Sequence, residues 1–264
     1  MQIDANGISI AYELAGPENA PVVMFSHSLA TNYTMWSPQI DALQAHYRVL
    51  RYDTRGHGQS SAPAGAYDLT TLAADAVGLI DALDIARVNW VGLSMGGMIG
   101  QVMGLDHGDR IGALVLCDTA SAVPAAAAAT WGERIANAHA NGMEPLVAPT
   151  IERWFTPPYI EAAPAVVNPV RTMIRTTPVA GYVGCCEAIR TLNLTARLSA
   201  IDRPTLVMVG EEDVGTPVAA SEAIVAEIDG AELVVLPSAS HLSNLEQADR
   251  FNGALLAFLD KHAA

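Results

Sequence analysis

This chain has little that would suit it to an oxidising compartment or to a membrane. Its three cysteines, Cys117, Cys185 and Cys186, are odd in number and two are adjacent. They offer no disulfide framework and no zinc-ligand spacing, which predicts reduced thiols. No apolar run reaches the roughly 18 residues of a membrane-spanning helix. The start Met1-Gln2-Ile3-Asp4 lacks the basic residues and apolar core of a secretory leader, so a soluble, cytoplasmic protein is expected. Basic residues are scarce: 14 Lys and Arg stand against 28 Asp and Glu, for a formal net charge of −14. That balance argues against nucleic acid and anionic membranes as partners. It leaves open an anionic small molecule, because the local field of a site outweighs the sum. No internal repeat is visible, and no cluster has metal-ligand spacing, so neither metal nor cofactor is expected.

What the chain does have is apolar surface to bury. Of its 264 residues, 51% are hydrophobic, enough for a sizeable sheet in one α/β domain with an insertion. Strand-like stretches at Ile8–Glu13, Val22–Ser26, Tyr47–Tyr52, Val88–Val91 and Ala113–Cys117 alternate with helical ones. In the stretch from Asp68 to Leu83, Leu69, Leu72, Ala73, Ala76, Leu79, Ile80 and Leu83 keep helical spacing behind a plausible Asp68 N-cap. Such alternation predicts a mostly parallel sheet with helices on both faces. It stops between Asp118 and Pro204, a stretch rich in proline and far too long for a connecting loop. Helical patches at Trp131–His139, Leu146–Trp154 and Tyr182–Thr191 predict short helices broken by prolines. Residues 121–195 are therefore expected to form a helical cap inserted in a core of 1–120 and 196–264. Strand Thr205–Val209, a helix near 217–228, strand Glu232–Leu236 and a helix from about Gln247 to Leu259 complete that core.

Strand Val88–Val91 runs into Gly92-Leu93-Ser94-Met95-Gly96-Gly97 and then into a helical run. This is the sequence of a nucleophile elbow, a strained strand-to-helix turn that exposes a serine hydroxyl above a sheet. Small residues are needed on either side of the bend, and Gly92 and Gly96 supply them. The following helix start would bring N–H groups and a partial positive charge to a developing oxyanion.

A serine needs a positioned base, itself oriented by an acid. His241 follows the last strand, on the same sheet edge as Ser94; His46, His107, His139 and His262 sit in polar or helix-end contexts. Asp213 closes the turn Gly210-Glu211-Glu212-Asp213 after strand Thr205–Val209 and is the expected acid. Asp118, after strand Ala113–Cys117, is its rival and otherwise a helix or turn cap. The loop Ser26-His27-Ser28-Leu29 is placed to supply the second oxyanion donor, so the N–H groups of Leu29 and Met95 form the expected hole. His27 is expected to shape that loop. The loop Tyr52–Ser60 suits a tight structural turn without chemistry of its own.

Ser94 in its Gly-Leu-Ser-Met-Gly-Gly setting, Asp213, His241 and Asp53-Thr54-Arg55-Gly56-His57-Gly58-Gln59-Ser60 resemble the α/β-hydrolase superfamily over essentially the whole chain. More narrowly, the chain resembles the 3-oxoadipate enol-lactonases of bacterial aromatic catabolism. The stretches that carry this are Arg153-Trp154-Phe155-Thr156, Cys186-Glu187-Ala188-Ile189 and Ala239-Ser240-His241-Leu242-Ser243-Asn244, with His27-Ser28 where the wider superfamily has His-Gly. The resemblance implies an α/β-hydrolase fold and hydrolysis of a small, carboxylate-bearing enol-lactone through an acyl-enzyme. The substrate carboxylate then needs a cation. Arg134, Arg153, Arg171, Arg175 and Arg190 are candidates; Arg134 is the expected one, with Trp131 and Trp154 lining the pocket. A broad carboxylesterase or perhydrolase, and a non-catalytic ligand receptor on the same scaffold, are the alternatives. A homo-oligomer is compatible with the sequence.

Overall fold

A computed structural model describes residues 1–263, apart from the side chains of Ala125 and Ala128. Eight strands form one sheet: β1 (Gln2–Ala5), β2 (Ile8–Ala15), β3 (Val22–Ser26), β4 (Arg48–Tyr52), β5 (Val88–Leu93), β6 (Ile111–Cys117), β7 (Thr205–Gly210) and β8 (Glu232–Leu236). Their spatial order is β1-β2-β4-β3-β5-β6-β7-β8. The β1–β2 and β2–β4 pairs are antiparallel, and every pair from β4 to β8 is parallel. The central strands β5, β6 and β7 are buried along their full length. That is why they read as continuous apolar runs and not as alternation.

Helices α1 (Ser37–Leu43), α2 (Leu69–Ala82) and α3 (Met95–Asp106) precede β6. Between β6 and β7 come α4 (Ala128–Asn141), α5 (Glu144–Trp154), α6 (Pro157–Ala162), α7 (Pro164–Thr176) and α8 (Val179–Arg190). After β7 follow α9 (Val218–Glu227), α10 (Ser243–Glu246) and α11 (Ala248–His262). Helix α2 packs on α3, and α1 on α11, while α3 and α11 lie against the central strands. The α2 start follows from its cap: Asp68 accepts the Thr71 N–H at 2.6 Å. Its apolar stripe, Leu69, Leu72, Ala73, Ala76, Leu79 and Ile80, is buried. In α11 the buried positions are Phe251, Leu255, Phe258 and Leu259.

The prolines between β6 and β7 do not break helices in the way the sequence suggests. Pro145, Pro157, Pro158 and Pro164 stand in first turns, where the missing N–H would have no partner anyway. Pro149 and Pro169 lie inside α5 and α7, which continue past them. Both α6 and α7 are therefore additions to the three expected helical patches, as are β1 and α1 elsewhere. A bridge between Ala122 and Asn193 joins the two ends of this helical segment where it leaves and rejoins the sheet. Among the described residues, no helix is long and apolar enough to cross a membrane.

Candidate active site

Ser94 connects β5 to α3 with φ 56° and ψ −113°, a conformation that non-glycine residues rarely adopt. The bend is held from three sides. Ser94 N–H donates to Cys117 O at 2.8 Å, Thr119 Oγ1 donates to Ser94 O at 2.8 Å, and Trp90 Nε1–H donates to Gly96 O at 3.1 Å. A Cβ on Gly92 would sit 2.1 Å from Gly96 O, and one on Gly96 would sit 2.1 Å from Ser26 O. The turn can be this sharp only because both are glycine.

Parallel strands bring three loops to the same carboxyl edge. Ser94 follows β5, Asp213 follows β7 and His241 follows β8. His241 Nδ1–H donates to Asp213 Oδ2 at 2.7 Å. Thr216 Oγ1 donates to the same oxygen at 2.6 Å, and the N–H groups of Gly215 and Thr216 donate to Oδ1 at 2.7 and 3.0 Å. Burial works against the Asp213 charge, but the His241 pairing and these bonds outweigh it and hold the carboxyl below its usual range. Ser94 and His241 line one cavity of about 250 Å³. Among the described residues no hydrogen bond joins their side chains.

Asp213, and not Asp118, meets the imidazole. Asp118 is not a helix or turn cap either. Fully buried, it accepts the Gly210 N–H at 2.8 Å and the Ser243 hydroxyl at 2.5 Å, tying the ends of β6 and β7 to α10. Burial, with the neighbouring Asp213 charge, pushes its carboxyl well above the usual range.

Three amides of the loop after β3 are engaged. Ser28 N–H points at Met35 Sδ (3.5 Å), Ala30 N–H donates to His57 Nε2 (2.9 Å) and Thr31 N–H donates to Ser28 O (3.3 Å). Among the described residues, the Leu29 N–H has no such partner. Neither has the Met95 N–H, which opens α3; the Met95 side chain is packed away from the cavity that Leu29 lines. His27 spans this loop and the next, donating from Nδ1 to Ser28 O at 2.7 Å and accepting the Thr54 N–H at Nε2, 2.9 Å away.

Trp131, Arg134 and Trp154 all line the cavity, as do Arg153, Tyr182 and the apolar Met98, Leu146, Ile174 and Ile189. The Arg134 guanidinium lies 4.8 Å from the Trp131 ring centre. The Trp154 indole stacks on the His241 imidazole at 5.9 Å and 27°. Of the remaining arginines considered, Arg175 pairs with Glu144 and Arg190 with Glu187, and Arg171 does not reach the cavity. Neither Arg134 nor Arg153 has a carboxylate or hydrogen-bond partner for its guanidinium among the described residues. Burial and the adjacent Arg134 both lower the Arg153 pKa.

Residues 21–248 match the alpha/beta hydrolase fold family. The chain belongs to that family. It is 35% identical to 3-oxoadipate enol-lactonase 2 of Acinetobacter baylyi, over 98% of this chain and 96% of the relative. It is 32% identical to a putative carbamate hydrolase RutD of Variovorax paradoxus, over 96% of this chain and 97% of the relative. The crystal structure of the enol-lactonase from Burkholderia xenovorans LB400 superposes with a TM-score of 0.96 at 40% identity, covering 98% of this chain and 100% of the other.

Sequence reasoning overlooked three residues of this alpha/beta hydrolase site. His57 holds the Ala30 amide, Thr216 completes the Asp213 shell, and Val214 stands 73% exposed at the cavity mouth. His57 was detectable, since it follows a strand that ends on the same sheet edge as Ser94. Thr216, three residues after Asp213, fits a local side-chain turn. Val214 carries no sequence signal.

Proposed function

We propose that this alpha/beta hydrolase opens a small enol-lactone bearing a free carboxylate, 3-oxoadipate enol-lactone, through a Ser94 acyl-enzyme. The observation that carries the reading is a pair of arginines, Arg134 and Arg153, that have no carboxylate or hydrogen-bond partner among the described residues and stand on the wall of the cavity that Ser94 and His241 share. Two guanidiniums that repel each other across a partly buried site are costly without an anion, and a carboxylate relieves both the repulsion and the desolvation. The names of the enol-lactonase relatives support the same class of substrate.

In this reading residues 121–195 are a cap whose helices α4 and α5 bring Trp131, Arg134 and Trp154 over the reacting carbonyl. Ser94 Oγ attacks the ring carbonyl as its proton passes to His241 Nε2. Asp213 holds the Nδ1–H tautomer and offsets the imidazolium charge. The Leu29 and Met95 N–H groups receive the oxyanion; removing one such donor raises the barrier by about 3–4 kcal/mol. Collapse breaks the acyl C–O bond of the ring, and the enolate oxygen leaves with the proton held by His241. The enol goes over to the ketone, which removes the leaving group as a nucleophile. Water, deprotonated by His241, then releases 3-oxoadipate. No step calls on a metal or cofactor.

The test is turnover of 3-oxoadipate enol-lactone beside neutral lactones, aryl esters and simple carbamates. A preference for the anionic lactone supports the proposal. Faster turnover of neutral esters points to the broad carboxylesterase, and failure of an organophosphonate to label Ser94 in the folded protein points to a receptor.

A further inference from the structure

The loop that carries His241 is tied to the helical segment above it by one buried carboxylate. Glu246 ends α10, and its side chain turns back into the protein, 8% exposed. Its Oε2 accepts the N–H of Ser240 at 2.6 Å. Its Oε1 accepts both the N–H and the Oγ–H of Thr156, at 2.9 and 2.7 Å. Ser240 immediately precedes His241, and Thr156 lies between α5 and α6, two residues beyond Trp154. Three more bonds cross the same seam. Ser240 Oγ donates to Arg153 O at 3.0 Å, Leu242 N–H donates to Trp154 O at 3.1 Å, and Tyr159 OH donates to Leu245 O at 2.9 Å.

A carboxylate is a costly way to fill this space. Burial raises the Glu246 carboxyl above its usual range, against the pull of the Ser240 and Thr156 bonds. An apolar side chain of similar size often matches or exceeds the stability of a buried charge. It would, however, leave the Ser240 and Thr156 amides unpartnered, since an amide N–H can only donate. The charge therefore achieves something packing cannot. It joins two amides from separate parts of the chain at a single point, one next to the base and the other next to the cavity wall.

The geometry points to Glu246 as a positioning residue for the proposed reaction, holding His241 toward Ser94 through Ser240, and Trp154 and Arg153 against the cavity through Thr156. The inference rests on the serine-hydrolase reading above. Glu246 touches no substrate; it makes the base and the adjoining wall move as one unit. A bound lactone that presses on Trp154 thereby presses on the seating of the imidazole.

The experiment compares the wild type with Glu246→Gln, Glu246→Asp and Thr156→Val. It reads kcat and KM on the enol-lactone, the rate of Ser94 phosphonylation by a small neutral organophosphonate, and the thermal midpoint. Glu246→Gln keeps the shape but turns an NH2 donor toward a donor. We expect kcat and the phosphonylation rate to fall together by about 100-fold, the usual effect of a displacement of about 1 Å. Glu246→Asp should recover part of that loss. Thr156→Val removes only the hydroxyl on the insertion side and should raise KM more than it lowers kcat. A Glu246→Gln protein that melts earlier yet keeps wild-type kcat and phosphonylation overturns the assignment, as does a change confined to KM. Should Glu246→Gln not fold, wild-type kcat and KM in both other variants overturn it. A wild type that is neither labelled nor active on any ester defeats the hydrolase reading itself, a result distinct from an active wild type with unaffected variants.

Discussion

His57 Nε2 accepts the N–H of Ala30 at 2.9 Å, and that bond engages the amide that follows Leu29 in the chain. Ala30 has φ 59°, a left-handed conformation that an alanine does not adopt without an external constraint. The His57→Phe variant keeps a ring of similar bulk and leaves the Ala30 amide buried without an acceptor. It should lose about 1–3 kcal/mol of stability. Its kcat should fall with KM little changed, because in the proposed reaction the Leu29 N–H meets the oxyanion and not the bound ground state. Steady-state kinetics together with urea unfolding check both; an unchanged kcat would remove His57 from the support of the hole.

His27 and His57 face each other with ring centres 5.1 Å apart, and both must stay neutral to accept at Nε2. Burial lowers His27 to about 4. Burial first, and then the His27 neighbour, lowers His57 to about 3. Each binds a proton more readily in the unfolded chain, near 6.5, so the unfolded state gains protons first as pH falls. The stability these groups confer is present above pH 6.5 and lost as pH drops toward 3–4. Asp53 and Glu246, raised by burial, titrate in the opposite sense, so the useful quantity is a difference. Between pH 6.5 and 3 the wild type should lose on the order of 4 kcal/mol more than His57→Phe. Denaturant unfolding across that range measures it, and parallel pH profiles would contradict the neutral-pair account.

The two candidate acids give opposite expectations. Asp213→Asn keeps the shape but favours the wrong imidazole tautomer, and kcat should fall by about 10⁴-fold. In Asp118→Asn the amide oxygen can still accept from Gly210 and the NH2 can donate to Ser243, so the rate should stay near that of the wild type. Single-turnover kinetics on the lactone separate them. A larger loss in Asp118→Asn would reverse the assignment of the acid.

Arg153 gives a test in which stability and activity move apart. Arg153→Met removes a partly buried charge that repels Arg134, so the free protein should melt no earlier than the wild type. Its kcat/KM for the anionic lactone should drop by about 10- to 100-fold, the worth of one charged hydrogen bond, while a neutral aryl ester is little affected. Arg134→Ala should show the same selectivity. Equal losses on both substrates would place the arginines in structural roles.

Much of this molecule is legible in its residues taken in order. Ser94 is announced by Gly92 and Gly96, because the backbone at that bend has no room for a Cβ. The parallel core is announced by apolar runs such as Val88–Leu93, which must be continuous when both faces are covered. Helices α6 and α7 were not legible. Prolines punctuate a helix interior but are welcome in a first turn, and sequence alone does not say which turn a proline occupies. The role of Asp118 was hidden for a related reason. A carboxylate after a strand can cap, pair or catalyse, and only its neighbours decide.

The sequence by itself determined the local requirements: a strained serine turn, a histidine and two acids at strand ends, and an apolar sheet to carry them. These depend on residues close in the chain, so spacing and side-chain size are enough to express them. Only the tertiary structure decided which acid meets His241, which two of five arginines face the cavity, and that Glu246 joins the histidine loop to Thr156, 90 residues away. Those choices are contacts between distant segments, set by how the helices above the sheet pack onto its edge. Electrostatic partnership and burial arise only when that packing removes water from between them.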